Sequence, residues 1–366
     1  MDIDINLEPD LSPQAIAELA VEAEKLGVRA LWSSNFHQNW DAFLALVPAA
    51  QATSRILLGP LAVSPWELHP LKMANSLLTL NELSGGRAIL AVSGGGGVLG
   101  AMGWKISKGA PMWPFKTRDK GDRAPERRVA GVRECIEFLN VARSGKLTYS
   151  FNGEVFQVTR PFQMEYARSD GPVVYGCCSG PMMIRMGATV ADGIQVSDFT
   201  VDMMTETMAN VRAGLAKRDP KAAVPADRFR VGNFWAWHIK EDRDVSMYEA
   251  RRELVWRGAI AGKYAHDIRP HVDSDAEVQL VIDRWDAMFK AYWTRSGKID
   301  GLPETIVNRM IHGMSSAGGL ADIDAEIDRY RRFAASGVTE LCIRLFDEPM
   351  AGLKMLGERV LPALRS

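Results

Sequence analysis

Residues 80–90, with the sequence LNELSGGRAIL, constrain the fold of this chain more than any other segment. An amphipathic helix is predicted to end at Leu83, two glycines make a turn, and an apolar run typical of a buried strand begins at Ala88. Another strand-like run, residues 55–60, lies about one helix upstream. A strand, a helix, a short turn and a second strand in this order are typical of a parallel β/α protein.

The same unit recurs along most of the chain. Ser12 and Pro13 predict the start of a helix and Gly27 predicts its end. Seven or eight predicted strands alternate with helices, and no glycine fingerprint of a dinucleotide-binding sheet follows the first one. We therefore expect an α/β protein with a single (β/α)8 TIM barrel, one domain over residues 1–366. Irregular stretches at about residues 100–125 and 264–315 are expected to be insertions at its C-terminal mouth.

Composition excludes several classes of protein. The 366 residues carry a formal net charge of −1 and are 47% hydrophobic, so we expect no nucleic-acid partner and an ordinary globular core. No segment approaches the roughly 18 uninterrupted apolar residues of a membrane span, and the N-terminus has no leader pattern. The four cysteines show no metal-binding spacing, so we expect no metal site and a reducing, cytoplasmic location.

Two loops could present backbone N–H groups to a ligand at the mouth. The glycine-dense loop contains Ser93, Gly94 and Gly95, and such loops approach phosphates or ring edges closely, although a flexible hinge is the alternative. The second loop joins a strand to a helix through Cys178, Ser179, Gly180, Pro181 and Met182. Its helix start favours phosphate, with plain helix capping as the alternative. Gln195, Ser197 and Asp198 end the next strand and are further candidates for the lining.

Several motifs resemble those of the bacterial-luciferase-like superfamily of flavin and deazaflavin oxidoreductases. They are AEKLG at 23–27, TSRILLG at 53–59, TLNELSGGR at 79–87, SGP at 179–181, ADG at 191–193 and VLPAL at 360–364. Their order and spacing span nearly the whole chain, and the chain looks most like the deazaflavin branch that includes methylenetetrahydromethanopterin reductase. The resemblance implies a coenzyme F420-dependent oxidoreductase that transfers a hydride to or from a small organic substrate. An FMN-dependent monooxygenase and a non-catalytic flavin-binding member are the alternatives.

The resemblance also implies where the ring lies. Relatives often hold it against a non-prolyl cis peptide after the third strand, which here is Leu61–Ala62; an ordinary trans bond is the alternative. Asn35 stands at the start of the relatives' Asp-His pair, and Trp40 is expected to pack near the ring or substrate.

Three residues are the candidate proton donors. They are His37, Asn6 and Glu8. His37 lies one residue beyond the relatives' acid-base histidine and is otherwise a surface residue. Asn6 matches a glutamate of the reductase branch, and Glu8 follows two residues later.

Two further expectations concern partners. The resemblance implies a homodimer, and the early helices carry apolar residues that an interface or the core could bury: Leu44, Leu46, Leu77 and Leu78. The tryptophans of the predicted insertions, Trp104, Trp113 and Trp293, suggest an apolar or aromatic substrate, with packing as the alternative.

Overall fold

Eight parallel strands form a closed barrel in the computed structural model, which describes residues 1–104, 127–220 and 222–365. In chain order the barrel strands are β1 (Asp2–Leu7), β2 (Ala30–Ser34), β3 (Leu57–Val63), β4 (Ile89–Val92), β5 (Val173–Cys177), β6 (Gly193–Ser197), β7 (Arg230–Trp237) and β8 (Glu340–Leu345). Each pairs with its neighbours in sequence, and β8 pairs with β1 from Asp2↔Glu340 to Asn6↔Arg344. The barrel is therefore closed, as predicted.

One principal helix follows each strand on the outside. They are α1 (Pro13–Leu26), α2 (Val47–Ala52), α3 (Pro70–Leu83), α4 (Arg128–Ala142), α5 (Pro181–Val190), α6 (Met204–Leu215), α7 (Ile323–Ala335) and α8, which joins Pro349–Met355, a π-helical turn Leu356–Val360 and Leu361–Arg365. Short helices or strands lie at Leu44–Leu46, Gly97–Ala101, Phe151–Asn152, Gln157–Val158, Ala226–Arg228, Ser315–Ser316 and Leu320–Asp322. This is the (β/α)8 arrangement, in which functional loops follow the C-terminal ends of the strands.

Local signals set the helix ends. The hydroxyl oxygen of Ser12 accepts a hydrogen bond from the Ala15 backbone N–H (3.2 Å), and Pro13 occupies the first position of α1. Gly27 ends the same helix with φ = 77°, a left-handed conformation that glycine adopts without steric cost. Both bounds of α1 are the predicted ones.

A second group of helices separates β7 from α7. It comprises Arg243–Glu253, Leu254–Trp256, Gly258–Ala261, Ala265–Ile268, Arg269–His271, Asp275–Asp283, Trp285–Trp293 and Glu304–Met314. Its buried apolar side chains, including Met247, Leu254, Trp285 and Met310, form a cluster of their own. We call this group the cap, because it packs over the mouth. It begins about twenty residues before the predicted insertion, since the helix after β7 packs into this cluster instead of onto the barrel.

The other predicted insertion, about residues 100–125, falls almost wholly outside the described residues, as does Trp113. Of the four leucines considered for an interface, Leu46, Leu77 and Leu78 are buried in the barrel's own core, and Leu44 is 70% exposed. None of the described helices is both long enough and apolar enough to span a membrane.

Candidate active site at the mouth of the barrel

The site begins with a chain of contacts from β2 to β3. Asn35, just after β2, donates from Nδ2 to the carbonyl oxygen of Ala62 (3.0 Å) and to Oε1 of Glu67 (2.7 Å). The peptide bond between Leu61 and Ala62 is cis, as the resemblance predicted. Asn35, Leu61 and Ala62, three of the predicted cofactor residues, are thus in one connected group at the strand ends.

The glycine-dense loop lies beside this group. Its Ser93 backbone N–H donates to the Val63 carbonyl (3.0 Å), which ties the end of β4 to the end of β3. Gly95 has φ = 79°, and a Cβ placed there would lie 3.0 Å from the Ser64 hydroxyl. A Cβ on Gly94 would lie 3.6 Å from the Met183 methyl carbon. The loop therefore occupies the space between the β3 end and the start of α5.

The start of α5 presents backbone donors to open space. Gly180 is the N-cap residue. Within residues 1–104, 127–220 and 222–365, no side chain caps the helix and a Cβ on Gly180 would meet no atom within 4 Å. Ser179, Pro181 and Met182 are exposed, the last by 70%. An uncapped helix start with room in front of it is a favourable position for a negatively charged group.

Cys178 is the buried member of that loop. Its Sγ donates to the Met183 carbonyl (3.3 Å), and burial raises the pKa of the thiol well above its usual value. A thiol that stays protonated is a poor nucleophile, so Cys178 is a packing residue. Trp40 lies apart from the glycine loop: its indole is about half exposed, and its backbone N–H donates to Pro9 (3.4 Å).

The three candidate proton donors occupy different environments. Asn6 is buried inside the barrel and donates from Nδ2 to the Ser34 hydroxyl (2.7 Å), and its Oδ1 has no partner in the part of the chain that the structure describes. Its amide does not ionise at physiological pH, so it can orient a group but cannot act as an acid. Glu8, at the rim, is ion-paired with Arg344. His37 is exposed on the loop after β2.

Glu67 is a carboxyl group that the sequence analysis did not single out. It is half-buried, and burial raises its pKa, an effect that the hydrogen bond from Asn35 only partly offsets. A glutamate in a polar loop gives no pattern from which this contact could be predicted.

A cavity of about 300 Å³ lies at the mouth. It is lined by the ends of β1, β2 and β8 and by the cap: Glu8, Pro9, Asp10, Leu11, Phe36, Gln38, Asn39, Arg252, Glu253, Tyr292, Arg295, Leu345, Phe346, Asp347, Glu348 and Pro349. Seven of the sixteen lining residues carry charged side chains, so the cavity suits a polar ligand.

Ion pairs join the cap to the barrel around this cavity. Arg252 binds Glu253 through Nε (2.9 Å) and Asp347 through Nη1 (2.9 Å), and Arg295 also reaches Asp347 (2.9 Å). On the opposite side, Asp198 accepts from the buried Arg257 (2.8 Å). These pairs connect residues far apart in sequence, which explains why no motif predicted them. Asp198, a predicted lining residue, is thus engaged by the cap.

Comparisons with known proteins extend this description. A sequence model of the luciferase-like monooxygenase family matches residues 3–339. The chain belongs to this family. The luciferase-like chain is 23% identical over 367 residues to the 5,10-methylenetetrahydromethanopterin reductase of Archaeoglobus fulgidus, with 100% of both chains covered.

Solved structures agree in fold. The F420-dependent tetrahydromethanopterin reductase of Methanopyrus kandleri has a TM-score of 0.75 and 22% identity, over 99% of this chain and 98% of that one. An F420-dependent secondary alcohol dehydrogenase with an F420-acetone adduct has a TM-score of 0.71 and 18% identity, with 100% of both chains covered. The relatives of this luciferase-like protein are thus oxidoreductases.

Proposed function

We propose that this protein is an oxidoreductase that uses coenzyme F420 to transfer a hydride to or from a small organic substrate. The observation that carries the proposal is the match over the full length of both chains to a reductase of the deazaflavin branch. The family's other chemistry, oxygenation with reduced FMN, is the second candidate, because the matching family model describes monooxygenases.

The residues at the mouth fit such a coenzyme. The start of α5 at Gly180 would hold a phosphate. The glycine-dense loop is small beside it, since a Cβ on Gly96 or Gly97 would meet no described atom within 4 Å. Asn35, Leu61 and Ala62 would contact the ring. When bound, the coenzyme supplies a two-electron hydride carrier that does not activate oxygen.

The protein itself would bind the coenzyme and the substrate, orient them toward each other and exclude water. We assign the cavity beneath the cap to the substrate, since it adjoins the ends of β1 and β2 and is closed by cap residues. The charged lining favours a polar substrate over the apolar or aromatic one that the tryptophans suggest; Trp293 is 62% exposed and lies outside the lining. Closure of such a site strengthens electrostatic interactions within it.

Titration of the purified protein with F420 and, separately, with FMN tests the proposal. We expect saturable F420 binding, and oxidation of reduced F420 on addition of 5,10-methylenetetrahydromethanopterin or acetone without oxygen uptake. Binding of FMN alone, with oxygen consumed, would establish the monooxygenase. If the protein binds neither F420 nor FMN, both candidate functions are wrong. The single-domain organisation, the homodimer and the cytoplasmic location also remain proposals; sedimentation across a hundredfold dilution checks the dimer.

A further inference from the structure

The cap contributes an acidic side chain to the substrate cavity that none of the family motifs contains. Glu253 ends the cap helix Arg243–Glu253, is buried, and lines the cavity together with Glu8 and Tyr292. Glu8 comes from the end of β1, so the cap and the barrel each supply one carboxyl group to the same small space.

The hydrogen bonds of Glu253 are asymmetric. Both arginines beside it approach the same oxygen, Oε1: Arg252 Nε at 2.9 Å and Arg295 Nη1 at 3.6 Å. Among the described residues, Oε2 accepts no hydrogen bond. One oxygen is therefore held in place while the other can carry a proton toward a ligand in the cavity.

Charged groups from every neighbouring element act on Glu253. The Glu8 carboxylate faces it from the end of β1 and Arg344 from β8. From the cap, the groups that act on it are Arg252, Arg257, Tyr292 and Arg295.

Burial is the largest of these effects and raises the pKa of Glu253; Glu8 raises it further, and Arg344 and Arg252 only partly oppose this. Glu8 is itself engaged by Arg344. Two carboxyl groups in different environments are a common arrangement for acid–base work.

We propose that Glu253 is the catalytic acid of this site, and that the substrate therefore carries a heteroatom, as a carbonyl oxygen or an imine nitrogen, at the carbon that exchanges the hydride. This rests on the proposed function. In the reducing direction the substrate carbon receives the hydride with its two electrons from the reduced deazaflavin. The double bond to the heteroatom loses its π pair, and Glu253 gives its proton to that heteroatom and becomes a carboxylate. In the oxidising direction the carboxylate takes the proton back.

The assignment accounts for the replacement of the expected acids. The resemblance implies a glutamate at the position of Asn6, and Glu8 is ion-paired with Arg344. Glu253 reaches the cavity from a different element, so the chain retains a carboxylic acid at the mouth although the family position lacks one.

The test compares Glu253→Gln with wild type and with Glu304→Gln. The amide keeps the shape and an acceptor for Arg252 but has no acidic proton. Glu304 is an exposed cap residue whose ion pair with Arg251 lies away from the cavity, so it controls for loss of an ion-paired carboxylate. Glu253→Asp should restore part of the rate if the carboxylic acid is what matters.

Two measurements separate this proposal from the proposed function. In single turnovers of reduced F420 with methylenetetrahydromethanopterin or acetone, Glu253→Gln should slow substrate reduction by about a hundredfold or more. It should also abolish the fall in rate as pH rises through the pKa of Glu253. F420 affinity should be unchanged in all three variants. A wild-type rate and pH profile in Glu253→Gln would overturn the assignment.

Infrared spectra of the cofactor-free protein supply the independent measurement. A neutral-carboxyl band that persists above the usual range for glutamate and is missing in Glu253→Gln supports the acid. A Glu253 that is fully ionised there overturns it, whatever the cofactor titration gives. Failure of F420 to bind, with the neutral band present, would instead contradict the proposed function. If Glu253→Gln does not fold, Glu253→Asp and the wild-type infrared titration decide the question.

Discussion

The two ends of the barrel differ in how their polar groups are used. At the N-terminal end, the Glu24 carboxylate accepts backbone N–H groups of Ser54, Arg55 and Ile56 at 2.5–2.9 Å. Arg87 donates five hydrogen bonds to the same turn and to its own. At the C-terminal end, charges are shared between the cap and the barrel. Buried polar atoms of Asn6 and Arg257 there have no partner among the described residues, which at the N-terminal end is true of Asn81 Nδ2.

This difference explains where in the molecule the family motifs lie. The sharpest motifs, residues 23–27, 53–59 and 79–87, meet at the N-terminal end through Glu24 and Arg87. They are shared because they hold neighbouring strands and helices together. The proposed chemistry lies at the opposite end, where Asn6 and Asn35 stand at positions for which the resemblance implies acidic residues. The motifs that identify the family therefore lie at the N-terminal end of the barrel, and the proposed reaction depends on residues at the C-terminal end.

Arg87→Met should produce the largest change in stability, and it should affect the N-terminal end of the barrel only. The substitution leaves carbonyl groups of Ala50, Thr53, Ile56 and Ser84 without their donor. We expect the free energy of unfolding to fall by about 3 kcal/mol, measured by urea denaturation. F420 affinity of the folded fraction should not change.

Arg55→Met is the matched control for that experiment. Arg55 is exposed, and its side chain donates to one carbonyl, that of Glu24, at 3.4 Å. We expect a loss well below 1 kcal/mol. Equal losses in the free energy of unfolding for Arg87→Met and Arg55→Met would show that the hydrogen bonds of Arg87 do not stabilise the N-terminal end of the barrel.

Glu24→Gln should cost about 1.5–2 kcal/mol and change the response to acid. Burial alone would raise the pKa of Glu24, but the backbone N–H groups outweigh it and lower the pKa to about 2 from an ordinary 4.5. Since the folded-state pKa is depressed, the stabilisation is present above pH 4.5 and is lost as pH falls toward 2. Denaturation curves from pH 7 to 2.5 should converge for the variant and wild type. Glu22→Gln, on the same helix and at a carboxylate that pairs with Lys25, is the control for the loss of a negative charge from α1.

Gly180→Val should affect the C-terminal end alone. A Cβ there meets no atom of the described residues within 4 Å, so stability should be maintained while F420 affinity falls about tenfold, or about 1.4 kcal/mol. Gly319→Val is the control, since Gly319 is also an N-cap residue with extended backbone and a Cβ there meets only Arg243 at 3.6 Å. Unchanged F420 affinity in Gly180→Val would show that the phosphate of the coenzyme does not bind at the start of α5.

Glu67→Gln should give the smallest effect. Because burial raises the folded-state pKa of Glu67, the folded protein binds this proton more tightly than the unfolded chain, and stability falls as pH rises above the unfolded value. The uncharged variant should thus be as stable as wild type at pH 7, or more stable by less than about 1 kcal/mol. F420 affinity should change by at most a few-fold, since glutamine still accepts from Asn35. A clear loss of stability at pH 7 would show that the carboxylate is needed to hold Asn35.

Local signals made much of the barrel predictable. Capping by Ser12 and Gly27 set both ends of α1, and the two glycines after α3 set the turn before β4. The region after β7 is harder to predict from local signals: its first helix ends at Glu253 and is followed by separate short turns. Its apolar residues have helical spacing in either arrangement, and only tertiary packing decides between the barrel and the cap.

The site was predictable to the extent that motifs mark it. Asn35 and the Leu61–Ala62 peptide followed from motif positions, and the structure joins them directly. Glu253 and Asp347 come from segments about a hundred residues apart in sequence that meet only when the cap closes on the barrel. Such contacts have no local pattern, so sequence analysis alone could not assign them.

The pairing of β8 with β1 has a consequence for how the chain is made. Residues 2–6 pair with residues 340–344. During synthesis, this edge of the first strand therefore stays unpaired until almost the whole polypeptide has left the ribosome. The cap precedes β8 in the chain and can assemble its own apolar cluster during that interval. An exposed parallel edge is a template for wrong pairing, so truncation of the last forty residues should yield aggregated protein even though the cap and six outer helices are complete.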